Sequence, residues 1–481
     1  MCGIIGVFGV PDAARIVSQM LLTVQHRGQT AAGIVSAHQG RLYAVRGLGL
    51  VDEVKRGLDF ATQLPGDTAI GHVRYATQGS AADLPSIQPM VRSLLGNEVA
   101  LCHNGNITNF EELRRALYAQ GATFSSESDS EIIFSLAARS HETDPVRRIA
   151  EISRTLEGAW TILALRAAPE PKLVASMDPF GFRPLVTAPY KGGMVFSSET
   201  AALDLLGISP SEWTHLEPGT SLEVTAEGIN LFSFAHAELP VTHERETRHC
   251  SFEHVYYSRP DSVPFGLESQ AVRKRIGRIL AREHLIAGGS DFDVVTAVPD
   301  SSNSVALAFA KEFARHGKHA EFEFALIRNH YTGRTFITPD QFAREYGVRM
   351  KMNVVRSEVH GERVAVVDDS LVRGTTSKKV AQLLRDAGAK EVHFFLGSPP
   401  VKSPCHWGID TPTRQELASA RMPDLAVLAR HIGADSVRFL SQAGLQAALE
   451  DTGGTKRCYS CFTGRHPTDG LLVRAEALVR R

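Results

Sequence analysis

Apolar and polar positions divide the chain into two stretches of different rhythm. In the first half the apolar positions come in short runs: Gly3 to Val10, Ala69 to Tyr75, Val99 to His103 and Lys172 to Ser176. Glycines, a His-Asn-Gly and an Asp-Pro punctuate them, so each reads as a strand closed by a turn. Helical spacing predicts helices over Phe110 to Ala119 and Ser128 to Ala138, the second opened by a capping box of Ser128 with Glu131. Strands and helices without regular β-α-β alternation predict a layered α+β domain.

A polar stretch from Phe232 to Cys250, holding Pro240, marks a joint. Beyond it the rhythm changes. Helical spacing covers Ala271 to His284, an apolar run follows at Asp293 to Val298, and a second helix is predicted over Ser304 to His316. A β-branched run, Arg363 to Val367, leads through a polar loop into a helix over Lys378 to Asp386, closed by Gly388. A third apolar run spans Glu391 to Leu396. Strand, loop, helix, strand predicts an α/β domain whose parallel sheet carries binding loops at its carboxyl edge. The expected division is a first domain over 2–235, a joint over 236–254, a second domain over 255–430 and a C-terminal segment over 431–481.

Length and charge sharpen this picture. The 481 residues exceed what one ordinary core organises, which suits two or three domains. Fifty-two Lys and Arg balance 53 Asp and Glu, so the chain lacks the basic excess of a broad nucleic-acid surface, and no nucleic-acid partner is expected. No apolar run is long enough for a bilayer, and Met1-Cys2-Gly3-Ile4 lacks a secretory signature, so a cytoplasmic location without a membrane partner is expected. The six cysteines then sit under reducing conditions, where catalysis or metal binding is the commoner use.

The most informative segment follows the run Arg363 to Val367. Asp368 and Asp369 stand at the carboxyl end of this predicted strand, then come Ser370, Arg373, Gly374, Thr375, Thr376 and Ser377. Free N–H groups and hydroxyls at a helix start can cradle a phosphate. The paired carboxylates can hold ribose hydroxyls or Mg²⁺ beside a pyrophosphate leaving group. An isolated Asp-Asp would be a simple capped turn; the whole run resembles the phosphoribosyl pyrophosphate signature of type I phosphoribosyltransferases.

Cys2 is a second candidate. Loss of Met1 alone would make it the N-terminus, pairing a thiol with an α-amine whose ordinary pKa is about 7.7–8.0. Such a nucleophile, used as a glutaminase, needs a cation for the substrate α-carboxylate, which Arg74 can supply. It needs an anion for the α-ammonium, which Asp129 can supply. It needs donors for the tetrahedral oxyanion, which the Asn104 side chain and the Gly105 N–H can supply. The segments His26-Arg27-Gly28-Gln29, Gly71 to Thr77, His103 to Asn106 and Ser128 to Glu131 together resemble the class II glutamine amidotransferase domain of the N-terminal nucleophile hydrolases, over roughly residues 2 to 235.

Four further cysteines, Cys250, Cys405, Cys458 and Cys461, suit a tetrahedral zinc or a [4Fe–4S] cluster equally well by spacing. Cys102, on an apolar run, reads as core. The cysteine-bearing segments resemble the iron–sulfur branch of the amidophosphoribosyltransferases. So do Asp178 to Leu185, Ser197 to Glu199, Val298 to Ser302, Asn329 to Ile337 and Gly408 to Arg414. The resemblance implies an N-terminal nucleophile domain followed by a type I phosphoribosyltransferase domain. It implies that the four cysteines hold a structural [4Fe–4S] cluster. Mg²⁺ would lie near Ser301, Asp368 and Asp369. A loop over Arg328 to Lys351, with Arg334 among its cations, would close over phosphoribosyl pyrophosphate. The substrates would be glutamine and phosphoribosyl pyrophosphate, and the assembly a homotetramer. Departures are His330 in place of a common Arg, His406-Trp407 after Cys405, and the absence of a short propeptide before Cys2, which points to maturation by Met removal alone. Three competing readings are a glutaminase serving a different acceptor, which the loop at 368–377 argues against; a non-catalytic DNA-binding regulator, which the glutaminase half and charge balance argue against; and a degenerate paralogue serving a secondary pathway, although no expected catalytic residue is missing.

Overall fold

The structure is a computed structural model that describes residues 1–75, 84–153, 155–233, 247–329, 352–409, 411, 413–451 and 456–466. Strand Gly3–Phe8 is buried at every position. It lies within a seven-stranded antiparallel sheet, between Gly193–Ser197 and Thr68–Arg74. A six-stranded antiparallel sheet faces it, running from Gly228–Ser233 through Thr220–Thr225, Lys172–Met177, Gly158–Arg166 and Asn97–Ile107 to Met90–Leu94.

Both faces of each sheet are covered, which is why the first strand carries an unbroken apolar run rather than an alternating one. Ile4, Phe8 and Ile70 of one sheet meet Ala100, Leu163 and Leu173 of the other. Cys102 lies in this inter-sheet layer, fully buried, as core. Ile5 and Val7 point the opposite way, toward Val17 and Leu21 of helix Ala13–Thr23. Helices Phe110–Ala119, Glu131–Ala137 and Pro145–Ile152 cover the far side of the six-stranded sheet. The result is a helix–sheet–sheet–helix sandwich. Each large apolar side chain taken from water in these layers contributes roughly 1.5–3 kcal/mol.

The helix expected from Ser128 begins only at Glu131, and the capping box does not form. The Glu131 carboxylate instead accepts the backbone N–H and hydroxyl groups of Ser125 and Ser126, at 2.6–3.1 Å. Four donors on an adjacent turn outcompete the single N–H a capping box offers. The turn this makes holds Asp129 in place.

In the second half a five-stranded parallel sheet runs in the order Glu321–Phe322, Val294–Ala297, Arg363–Asp368, Glu391–Leu396, Ser436–Phe439. Ala365 and Val367 face helices Ser269–Ile286 and Asn303–Arg315, whereas Val364 and Val366 face Thr375–Asp386 and Leu425–Ile432. The fifth strand lies past residue 430, in the stretch read from sequence as a separate C-terminal segment; four residues are too few to declare a period. Near the joint, His249–Cys250 pairs in parallel with Arg457–Cys458, bringing the chain's C-terminal region back to the start of the second half. No helix among the described residues is long and apolar enough to cross a membrane.

Candidate active sites

The register that pairs Gly3 with Val73 runs Cys2 alongside the end of strand Thr68–Arg74. The thiol lies 3.9 Å from the Tyr75 carbonyl oxygen, and Arg74 is buried beside it in sequence. The Cys2 N–H donates to Asn104 Oδ1 at 3.2 Å, and its carbonyl accepts from Arg27 Nε at 3.0 Å. Asn104 is fully buried, and its Nδ2 donates to nothing among the described residues. A buried amide donor left unpaired beside a thiol is what an oxyanion would satisfy. Gly105 follows at φ +153°, where a Cβ would strike the Ala159 carbonyl, so only glycine fits. One residue before the thiol, the Met1 amine is pushed down to about 5 by burial, and Arg183 and Arg27 add to this against the opposing Cys2.

Asp129 is positioned from three directions. Its Oδ2 accepts the Ile107 N–H at 3.0 Å, its Oδ1 accepts the Ser130 hydroxyl at 3.3 Å, and His103 Nδ1 lies 3.9 Å away. Gln88 joins this set to the Asn104 strand, accepting the His103 N–H at 2.5 Å and donating to Ser130 Oγ at 3.0 Å. The structure therefore sets Cys2 beside the end of the strand that carries Arg74, ties Cys2 to Asn104 of the facing sheet, and ties Asp129 to Ile107 at the end of the strand that carries Asn104 and Gly105.

The second candidate site lies where the strand order of the parallel sheet reverses. In an order of second, first, third, fourth and fifth strand, the crevice between first and third is the ligand position of open α/β sheets. Val294–Ala297 and Arg363–Asp368 are those two strands, and the loops leaving them meet. Ser301 donates to Asp369 Oδ2 at 2.5 Å, Ser370 donates to Asp369 Oδ1 at 2.6 Å, and Ser302 donates to Asp368 Oδ1 at 3.3 Å. Burial and the neighbouring Asp369 push Asp368 well up from the ordinary carboxylate range; burial does the same to Asp369. Two buried carboxylates with only hydroxyl and N–H partners suit a divalent cation, which would restore both charges. Gly374 takes φ +78° and opens helix Thr375–Asp386, with Thr375 and Thr376 exposed at its N-terminus and Arg373 exposed just before it. Arg334, Arg349 and Lys351 lie outside the described residues, as do His330 and most of the segment expected to close over this site.

The four cysteines also converge. Cys250 and Cys458 are register partners, and Cys250, Cys458 and Cys461 are buried while Cys405 is partly so. Burial raises the thiols of Cys250 and Cys461, and pushes Cys458 up to about 12; in each case neighbouring cysteines of the set add to the effect. Among the described residues no three His, Cys, Asp or Glu are gathered as one metal ion would require. A cubane cluster spaces its thiolates more widely, and its positive irons would offset the cost of ionising buried thiols.

A glutamine amidotransferase domain model matches residues 72–205. A chloroplastic amidophosphoribosyltransferase of Vigna aconitifolia is 42% identical over 467 residues, covering 97% of this chain and 91% of the relative. The amidophosphoribosyltransferase of Bacillus subtilis is 39% identical over 97% of this chain and 94% of its own length. The solved glutamine phosphoribosylpyrophosphate amidotransferase of B. subtilis, complexed with ADP and GMP, superimposes with a TM-score of 0.85 at 38% identity, covering 97% of each chain. The chain belongs to the amidophosphoribosyltransferase family.

As an amidophosphoribosyltransferase it is a glutamine amidotransferase and glycosyltransferase, acting in the glutamine-dependent first step of purine biosynthesis. Its fold is the expected N-terminal nucleophile domain followed by a phosphoribosyltransferase domain.

Several residues around Cys2 of this amidophosphoribosyltransferase carry no signal that spacing could reveal. Arg27 donates to Glu253 through both terminal nitrogens, at 3.0 and 2.9 Å, and to Glu199 at 2.7 Å. All three side chains are fully buried. Burial opposes the charge on Glu199, but His26 and Arg27 outweigh it and hold the carboxylate well below its ordinary range. Glu253 belongs to the second half, so the arginine that touches the Cys2 carbonyl is anchored across the joint. Arg273 donates to the carbonyls of His254, Tyr256 and Ser258, and its charge in turn favours ionised Asp369.

Proposed function

We propose that the two sites divide one reaction between them. Arg74 and Asp129 hold the α-carboxylate and α-ammonium of glutamine. The Cys2 thiol, freed as the N-terminal residue, gives its proton to its own α-amine and attacks the side-chain amide. Asn104 Nδ2 and the Gly105 N–H receive the tetrahedral oxyanion. Ammonia leaves, a thioester remains on Cys2, and water hydrolyses it to glutamate. At the second site the loop from Asp368 to Ser377, with Arg373 and Arg334, binds phosphoribosyl pyrophosphate, and ammonia displaces pyrophosphate at C1 to give 5-phosphoribosylamine.

Ser301, Asp368 and Asp369 would hold Mg²⁺, which when bound neutralises the departing pyrophosphate. The Gly374 turn and the hydroxyls of Ser370, Thr375, Thr376 and Ser377 orient the 5-phosphate at the positive end of a helix. Cys250, Cys405, Cys458 and Cys461 would hold a [4Fe–4S] cluster with a structural role. We place the protein in the cytoplasm as a homotetramer, with domains divided as the sequence suggests.

The observation that carries the glutaminase assignment is the buried Asn104 Nδ2, without a partner among the described residues, on the side chain whose oxygen accepts the Cys2 backbone N–H. Treatment with a diazoketone analogue of glutamine tests it. The expected result is one adduct, on Cys2, with loss of glutamine-dependent but not ammonium-dependent pyrophosphate release. An adduct on another residue, or equal loss of both activities, contradicts the assignment.

A further inference from the structure

Residues 405–408, from the second half of the chain, lie directly on the strand that carries Asn104 and Gly105. Gly408 adopts φ +94° and packs on Gly105: a Cβ at 408 would come within 2.8 Å of the Gly105 carbonyl carbon and 2.9 Å of its oxygen. On its other side Gly105 faces Ala159, whose carbonyl would lie 1.9 Å from any Cβ at 105. The Gly105 backbone is thus sandwiched between the neighbouring strand and the 405–408 segment, with no side chain on either glycine.

That segment is itself anchored. Asn106 Nδ2 donates to the His406 carbonyl at 2.9 Å. The fully buried Arg183 donates to the Trp407 carbonyl through Nε at 3.0 Å and through Nη2. The Trp407 indole stacks on Phe182 with ring centroids 4.7 Å apart and planes 9° from parallel. Arg183 also lies 3.6 Å from Glu253, the partner of Arg27. Glycine backbone is intrinsically permissive, and an oxyanion donor has to be held within about 0.5 Å of its working position.

We propose that the 405–408 segment is a positioning clamp: the phosphoribosyltransferase half fixes the Gly105 peptide of the glutaminase half, through the Gly408 contact and the Asn106–His406 hydrogen bond. The clamp rests on the reading of Asn104 and Gly105 as oxyanion donors. Gly408, Asn106 and Arg183 touch no reacting atom; they act through Gly105.

The test uses full-length Asn106→Ala and Gly408→Ala, with Asn104→Ala as reference. Asn106→Ala adds no bulk, so it removes the tie to the His406 carbonyl without crowding the fold. The kcat for glutamine hydrolysis is expected to fall roughly tenfold in Asn106→Ala and further in Gly408→Ala, less than the ~10²–10³ of losing a donor outright. The KM for glutamine, the rate of Cys2 alkylation by iodoacetamide and ammonium-dependent pyrophosphate release are expected to stay near wild type in Asn106→Ala. A merely structural role would lower all of these together. Unchanged kcat in Asn106→Ala, while Asn104→Ala is impaired, overturns the clamp, as does a parallel loss of ammonium-dependent activity in Asn106→Ala. Unchanged kcat in Asn104→Ala overturns instead the oxyanion reading beneath it.

Discussion

Asn104 accepts the Cys2 N–H with its oxygen, and its own N–H₂ has no partner among the described residues, so in the proposed reaction one side chain both seats Cys2 and receives the oxyanion. Asn104→Ala is therefore predicted to lower the kcat for glutamine hydrolysis by about 10²–10³, read by glutamate release, with ammonium-dependent synthesis kept. Asp178 has a different character. Burial pushes its carboxyl up to about 7, although the N–H groups of Trp160, Phe180 and Phe182 favour the ionised form. Between its ordinary value and about 7 the folded state holds a proton that the unfolded chain releases. Its contribution to stability is thus greatest at low pH and declines as pH rises toward 7. Melting temperatures measured at pH 5 and pH 8 are predicted to differ less in Asp178→Asn than in wild type; equal differences would remove this group from the pH dependence. Cys2, Arg74 and Asp129 stand out in the sequence as candidates because chemistry dictates their types and short segments frame them. Glu253 was not, because its partner Arg27 lies 226 residues away in sequence and only the fold joins them.

At the scale of elements, the strand–loop–helix from Arg363 to Asp386 was legible because its features are local: a β-branched run, two carboxylates at its end and a glycine opening a helix. Elements set by competition were not. The helix after Asp129 starts at Glu131 because serines at 125 and 126 capture the glutamate that a capping box would use. The five-residue π-helix Glu253–Tyr257 and the four-residue strand Ser436–Phe439 lack the length to show a period. Close packing between elements is equally silent. Gly28 is extended, yet a Cβ there would lie 2.5 Å from the Arg74 carbonyl carbon and 2.6 Å from that of Val73. Gly28→Ala must displace the end of the strand bearing Arg74. It is predicted to cost roughly 1–3 kcal/mol in denaturant unfolding and to raise the KM for glutamine. Unchanged stability and KM would mean that this strand end yields freely.

For the whole molecule, the two halves are tied beside Cys2 through Arg27 and Glu253, and also through Arg183 and the Trp407 carbonyl and through the paired strands that bear Cys250 and Cys458. Division into two domains was legible from the change of rhythm at the joint; their interlocking was not, since it rests on buried contacts between distant segments. The cysteines sit at this junction; on the proposed cluster assignment, Cys458→Ser loses iron–sulfur absorbance in anaerobically purified protein and melts at a lower temperature than wild type. Full absorbance in that variant would remove Cys458 from the ligand set. The central claim is that glutamine cleavage and phosphoribosyl transfer occupy separate sites of one chain. The most direct measurement is pyrophosphate release from phosphoribosyl pyrophosphate and Mg²⁺ by wild type and Cys2→Ser, with glutamine and then ammonium as nitrogen source. Release from wild type with both, and from Cys2→Ser with ammonium alone, is the predicted result; folded Cys2→Ser protein that is equally inactive with either nitrogen source would contradict it.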